Sequence, residues 1–244
     1  MKLEIGYNHP FEIRKYAYSS ETLPEISLLY LSDLHFNRFS KQPAALIIAK
    51  INELNPSIIL LGGDYADSQK GMHHFLHFMT SISHFKNIFS IPGNHDRWRL
   101  TQIRTIMENN NGTWLQNSAA TIRIGNSTIR IDGGPPDTTP AAADLSILCL
   151  HKPIDVRKTA HHYNLIFAGH LHGSQVVLWS TDKGLYPGRF FYKWNRLSAD
   201  LGHCRYLISK GLGDTLPIRY NCPKDALLIE VRDFSPSPNI QPEK

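Results

Sequence analysis

A chain of 244 residues, 41% hydrophobic and 19% charged, is long enough to bury a sizeable core, and its composition excludes a fibrous or disordered protein. Its formal net charge of +5 permits an anionic partner without separating nucleotide, nucleic acid, phospholipid headgroup and phosphate ester. Three cysteines without paired close spacing exclude a disulfide framework and a thiolate zinc site, and with no signal-length or ~20-residue apolar run the expectation is a cytoplasmic protein, free to lie on the inner face of the membrane.

Residues Phe11 to Tyr18 alternate loosely and predict an edge strand. The stronger run Ile26-Ser27-Leu28-Leu29-Tyr30-Leu31 reads as a buried strand and ends in Ser32-Asp33-Leu34-His35. Ser40 as N-cap and Pro43 in the first turn predict a helix from about Lys41 to Leu54, with Leu46, Ile47, Ile51 and Leu54 at helical spacing. Ser57 to Leu61 is a second buried strand, ending in Gly62-Gly63-Asp64. The next helix, about Met72 to His84, directs Phe75, Leu76, Phe78, Met79 and Ile82 inward; His73, His74, His77 and His84 around it read as solvated or packing residues. A third apolar strand, Asn87 to Ile91, closes on Pro92-Gly93-Asn94-His95-Asp96, which sets a metal-capable amide beside an acid-base imidazole.

A helix from about Leu100 to Glu108 precedes a β-rich stretch: Trp114-Leu115, then Thr121 to Ile124 and Thr128 to Ile131 joined by the hairpin signal Gly125-Asn126. Gly133-Gly134-Pro135-Pro136 through Ala143 is a loop, either a flap over a site or a long connection. Leu145 to Leu150 ends at His151, and Asn164 to Ala168 ends at Gly169-His170-Leu171-His172-Gly173. Gln175 to Trp179, Tyr206 to Ser209 and Ala226 to Val231 predict further strands, and residues 233–244 a disordered tail behind one domain of residues 1–232. Strand and helix alternate in the first half, as βαβ units do, and the later strands need a second sheet. The expected fold class is therefore an α/β sandwich of two mixed sheets with flanking helices.

Five predicted strands end in polar groups of one chemical kind: Asp33 with His35, Asp64, Asn94 with His95, His151, and His170 with His172. In parallel sheets such ends converge on one pocket. Two carboxylates, an amide oxygen and imidazoles suit Mn, Fe or Zn better than Ca or Mg. So many ligands exceed one ion's needs but fit two ions sharing a bridging carboxylate, the ~3.5–4 Å pair that clamps the attacking and leaving oxygens in phosphoryl displacement. Two divalent ions outweigh the charges of Asp33, Asp64 and a bridging hydroxide, leaving a positive pocket for an anionic phosphoester.

Together, Asp33-Leu34-His35, Gly63-Asp64, Gly93-Asn94-His95-Asp96, His151 and Gly169-His170-Leu171-His172 resemble the signature of the calcineurin-like metallophosphoesterases. The resemblance implies one metal held by Asp33, His35, Asp64 and His172 and a second held by Asp64, Asn94, His151 and His170. It also implies that His95 contacts phosphate and acts as an acid toward the leaving group, with Asp96 orienting its imidazole. Gly173-Ser174-Gln175-Val176, Leu185-Tyr186-Pro187-Gly188, Leu207-Ile208-Ser209-Lys210-Gly211-Leu212-Gly213 and Leu216-Pro217-Ile218-Arg219 are similar to the YkuE- or YaeI-like branch of bacterial phosphodiesterases. Some members of that branch act on the cell envelope, including a pyrophosphatase that cleaves UDP-2,3-diacylglucosamine in lipid A synthesis. Two departures stand out: Ser174 where a second glycine is usual, and a missing N-terminal membrane or export segment.

The implied function is a dinuclear phosphoesterase in which a metal-bridging hydroxide attacks phosphorus, with a lipid-linked nucleotide such as UDP-2,3-diacylglucosamine as preferred substrate. The enzyme alternative acts on soluble nucleotides or phosphoproteins. A nucleic acid partner is disfavoured because no second domain or basic aromatic module tracks a strand, and a non-catalytic scaffold because every ligand and His95 are retained. In Gly188 to Leu197 the aromatics Phe190, Phe191, Tyr192 and Trp194 lie among Arg189, Lys193 and Arg196. This segment is expected to be partly exposed near the site and to contact anionic membrane or acyl chains.

Overall fold

The computed structural model describes residues 1–137 and 140–232. The tail expected to be disordered, residues 233–244, lies outside the described residues, as do Thr138 and Thr139 of the proline-rich loop. Two six-stranded sheets carry the fold. The first runs in the order Phe11–Ser19, Lys224–Arg232, Ile26–Leu31, Ile58–Leu61, Ile88–Ser90, Gly112–Trp114, with its last four strands parallel. Lys224–Arg232 is antiparallel to Ile26–Leu31 and parallel to the edge strand. The second runs Ser198–Leu201, Cys204–Ile208, Leu165–Ala168, Leu145–Cys149, Ser127–Gly133, Ser118–Ile124; its four inner strands are parallel and both edges antiparallel.

Side chains alternate across a strand, so one segment can feed two cores. In Ile26–Leu31, Leu28 and Tyr30 enter the core between the sheets with Ile147, Phe167 and Leu207, and the rings of Tyr30 and Phe167 stack at 5.0 Å. Leu29 and Leu31 face the other way, into a core with Ile47, Ile51, Phe75 and Phe78 from the helices. Burial on both faces explains why this strand reads as an unbroken apolar run. A third cluster, containing Ile166, Ile208, Val156 and Tyr163, covers the outer face of the second sheet.

The first helix spans Lys41–Leu54 with Ser40 at its N-cap position, but the Ser40 Oγ makes no capping bond and accepts the Asn37 N–H at 2.9 Å instead, and Leu46 is exposed. The second runs Gln69–Ile82, earlier than its apolar spacing suggests. Ser68 caps that helix, its Oγ accepting the Gly71 N–H at 3.1 Å, and Leu76 points outward. The third spans Leu100–Asn109. Two small antiparallel pairs were not expected as pairs: Leu3–Ile5 with Ile218–Tyr220, and Val177–Thr181 with Gly184–Pro187. All three cysteines are buried and free. Among the described residues no helix is long and apolar enough to cross a membrane.

Candidate metal centre

Each candidate ligand follows directly on a buried strand, three of these strands in the first sheet and two in the second. The chain leaves them through left-handed backbone at Asp33 (φ 55°), His35 (φ 43°), Asp64 (φ 58°), His170 (φ 70°) and His172 (φ 49°). That region costs a non-glycine residue ~1–2 kcal/mol, and such strain collects at functional sites. Of the other non-glycine residues with positive φ, Asn55, Asn111, Asn117 and Asn221 are of the type that tolerates it, while Ser174 and Gln175 continue the His172 turn. Backbone bonds hold the turns in place: the Asp33 N–H donates to Gly63 O and the His35 N–H to Asp64 O, both at 3.0 Å. Glycine allows the close approach, because a Cβ on Gly93 would stand 2.1 Å from Asp64 Oδ1 and one on Gly169 2.3 Å from Asp33 Oδ2.

The seven expected ligands come together as two linked groups. Ligand-capable atoms of Asp33, His35 and His172 lie within 4.8 Å of one another, as do those of Asp64, His151 and His170. Asp64 stands between them, its Oδ2 3.7 Å from His35 Nε2 and 3.2 Å from His151 Nε2. Asn94 Oδ1 completes the second group at 2.9 Å from His151 Nε2.

Two histidines are oriented as ligands would be. His151 Nδ1 lies 2.8 Å from Gly62 O, which can only accept, so Nδ1 carries the proton and Nε2 is left to the cluster. His35 Nδ1 faces Asp67 at 2.9 and 3.0 Å, and its Nε2 is buried with no hydrogen-bond partner in the structure. A buried lone pair left without a partner is costly unless something binds it, and a carboxylate behind the opposite ring nitrogen is the usual support of a metal-bound imidazole. The donor set and its supports fit two divalent ions.

Charge within the group is polarised. Burial alone would raise the Asp64 carboxyl, but His151, His35 and the His95 N–H, 2.8 Å from Oδ1, outweigh it and hold the group near 2. Burial opposes charge on His151, yet the hydrogen bond to Asp64 and the nearby Asp33 push it up to about 9. Burial brings His172 down to about 4 and lowers His170 as well. On His35 burial acts downward, and the hydrogen bond and charge of Asp67, with Asp33 and Asp64, more than reverse it.

His95 is exposed and lines a cavity of about 370 Å³ together with Asp64, His170, His172, Gln175 and Tyr192. The expected role of Asp96 is corrected: it does not orient the His95 imidazole. Asp96 is fully buried at the head of the short turn Asp96–Trp98, which carries its carboxylate back beneath the site. There it accepts backbone N–H groups from Gly93 (2.7 Å), Asp64 (2.8 Å) and Tyr65 (2.9 Å). The carboxylate facing His95 Nδ1 is that of Asp67, at 3.5 Å. Sequence reasoning missed Asp67 because its place depends on an isolated bridge between Phe36 and Ala66, which sets it beside His35.

Within the aromatic segment, Phe190 and Phe191 are 69% and 79% exposed, whereas Trp194 packs against Tyr206 at 5.0 Å. The loop after Gly133 approaches from another side: Gly134 and Pro135 share a cavity of about 340 Å³ with His151.

A family model described as calcineurin-like phosphoesterase matches residues 26–174. Phosphodiesterase YaeI of Escherichia coli (strain K12) is 27% identical to this chain, over 93% of the chain and 92% of that protein. The uncharacterized metallophosphoesterase YkuE of Bacillus subtilis (strain 168) is 25% identical, over 87% of this chain and 82% of its own length. Among solved structures, TT1561 of Thermus thermophilus superposes with a TM-score of 0.48 at 12% identity, covering 78% of this chain and 91% of that one.

Proposed function

The chain belongs to the calcineurin-like phosphoesterase family, metal-dependent hydrolases of phosphoester bonds, and we propose that its two linked groups of ligands each hold one divalent ion. Asp33, His35, Asp64 and His172 would hold one, and Asp64, Asn94, His151 and His170 the other. The observation that carries this reading is the position of Asp64 Oδ2, within 3.7 Å of His35 Nε2 and 3.2 Å of His151 Nε2. Imidazole and carboxylate together favour Mn, Fe or Zn. Bound there, the ions supply positive charge to a phosphoryl group and acidify water.

The chain's own residues do the rest. His95 stands in the open cavity and is the group placed to give a proton to the departing oxygen; hydrolysis consumes one water and breaks one P–O bond. Asp67 fixes the His35 ring and faces that of His95, while Asp96 holds the backbone that presents Asp64. Because both sheets supply ligands, residues 1–232 act as one domain.

For the substrate we favour a phosphodiester or pyrophosphate in a lipid-linked nucleotide, such as UDP-2,3-diacylglucosamine, over a soluble nucleotide. Support comes from Phe190, which sits in an aromatic cluster with Trp179 and Tyr186, and from Tyr192, which lines the His95 cavity. Such rings settle at headgroup depth while Arg189 and Lys193 meet anionic phosphate, giving a peripheral contact with the inner face of the membrane.

Two substitutions test the centre. His95→Asn should keep both ions by elemental analysis while losing roughly 10²–10⁴ in turnover of an aryl phosphodiester. His170→Asn should lose metal. Equal metal loss in both would overturn the division of roles. Co-sedimentation with anionic liposomes, wild type against Phe190→Ser/Phe191→Ser, tests the membrane contact. If wild type ignores the vesicles, the soluble-nucleotide alternative takes its place.

A further inference from the structure

A second cavity, of about 540 Å³, flanks the histidine cluster rather than containing it. Two residues join it to the centre. Asp67 is the partner of His35, and Thr215, whose Oγ1 lies 3.5 Å from His172 Nε2, lines both this cavity and the smaller one around His95. The two spaces are therefore neighbouring parts of one cleft.

The walls of the larger cavity have a distinct chemistry. Tyr7 and Phe39 stack with ring centroids 5.7 Å apart and 14° between planes, and Phe39 remains 49% exposed, so the aromatic pair is partly open to solvent. The Arg38 guanidinium lies 4.6 Å from the Phe39 ring. Neither Arg38 nor Lys70 has a carboxylate partner among the described residues. The two acids present are already committed: Asp67 to His35, and Asp214 to Arg219 at 2.5 Å and Lys224 at 2.7 Å. What remains uncompensated is positive. Lys70 also lies in the first turn of the helix Gln69–Ile82, whose N-terminal end adds to that sign.

An aromatic pair flanked by cations that lack a carboxylate partner, at the edge of a phosphoryl site, matches a planar base followed by a phosphate. We propose that this cavity is a specificity subsite for a nucleoside phosphate, with the base on the Tyr7–Phe39 platform and its phosphate against Arg38 and Lys70. It rests on the phosphoesterase reading for the identity of the reacting group, but not for the binding itself. A volume of about 540 Å³ is within the range of small-ligand sites.

The probe is AMP, titrated calorimetrically into chelator-treated protein so that metal-held phosphate does not contribute, with inorganic phosphate and adenosine as comparisons. Wild type should bind AMP at least tenfold more tightly than either fragment. Arg38→Glu/Lys70→Glu should lose tenfold or more in AMP affinity while adenosine binding changes little, and Phe39→Ser should weaken both AMP and adenosine. These side chains are exposed, and circular dichroism should show the variants folded as wild type is. With Mn added, the double variant should raise KM for diadenosine pyrophosphate at least tenfold more than for bis(p-nitrophenyl) phosphate. AMP bound no better than phosphate, or equally by the folded variants, overturns the subsite even if the aryl diester is hydrolysed. AMP binding that follows the variants, in a protein that turns over no phosphoester with metal, upholds the subsite and removes the phosphoesterase reading instead.

Discussion

Replacing Asp96 with asparagine removes one charge and one acceptor from a fully buried carboxylate. Its Oδ2 accepts the N–H groups of Gly93 and Asp64, and its Oδ1 that of Tyr65. The substituted amide can keep its single oxygen toward Gly93 and Asp64, which turns its NH₂ toward the Tyr65 N–H. One charge-assisted bond of ~1.5–3 kcal/mol is lost, and a buried donor is left facing a donor at ~1–3 kcal/mol. Some relaxation is available, so the net cost is about 2–4 kcal/mol. For a chain of this length that lowers Tm by roughly 4–16 °C. The assay is urea denaturation of the metal-free proteins, followed by elemental analysis after Mn loading. The variant should be destabilised with an unchanged m-value, and its metal content should fall, because Asp64 is presented by the backbone that Asp96 holds. An Asp96→Asn protein within about 0.5 kcal/mol of wild type, metal-replete but inactive, would refute this account and return Asp96 to the chemistry.

Ser174→Gly should stabilise the protein by about 1 kcal/mol in thermal denaturation, since Ser174 has φ 63° and its buried Oγ lacks a partner; a loss of stability would contradict this. Asp64→Ala should not retain two ions per chain, and elemental analysis showing two would defeat its place between the clusters. The stability of the metal-free protein should depend on pH with a maximum near ~6.5, the ordinary imidazole value. His172, held at about 4, takes up its proton more readily when unfolded, so stability rises from about pH 4 to the unfolded imidazole value; His151, raised to about 9, binds its proton more tightly when folded, so stability falls from there to about pH 9. Saturating Mn should abolish the falling limb, because a metal-bound imidazole carries no competing proton; a limb that persists unchanged would place His151 outside the centre.

The buried strands were legible because both of their faces are covered, which turns Ile26–Leu31 and Ile58–Leu61 into runs that no exposed segment imitates. Their polar terminators were legible for the same reason, since they stand within a few residues of the end of each apolar run. Asp67 was not, because an isolated bridge rather than a strand end delivers it. The direction of Asp96 was hidden too: adjacency to His95 in sequence suggests contact, and the turn Asp96–Trp98 reverses that direction. The start of the second helix is displaced for a local reason: the Ser68 cap overrides the apolar spacing that begins at Met72. Ser174, which departs from the glycine expected by resemblance, occupies left-handed backbone that glycine adopts without a Cβ penalty.

The centre also has a mechanical side. Asp33, His35, Asp64 and Asn94 follow strands of the first sheet and His151, His170 and His172 strands of the second, and contacts already cross between these turns: His151 Nδ1 to Gly62 O at 2.8 Å, and the His170 N–H to Asp33 at 3.0 Å. Metal bound across this seam would act as a clasp, so the two sheets could part at that rim only by releasing it. Opening there then becomes a single cooperative event. Amide exchange at the ends of Ile58–Leu61 and Leu165–Ala168, remote in sequence and in separate sheets, would slow together and by the same factor as metal is added.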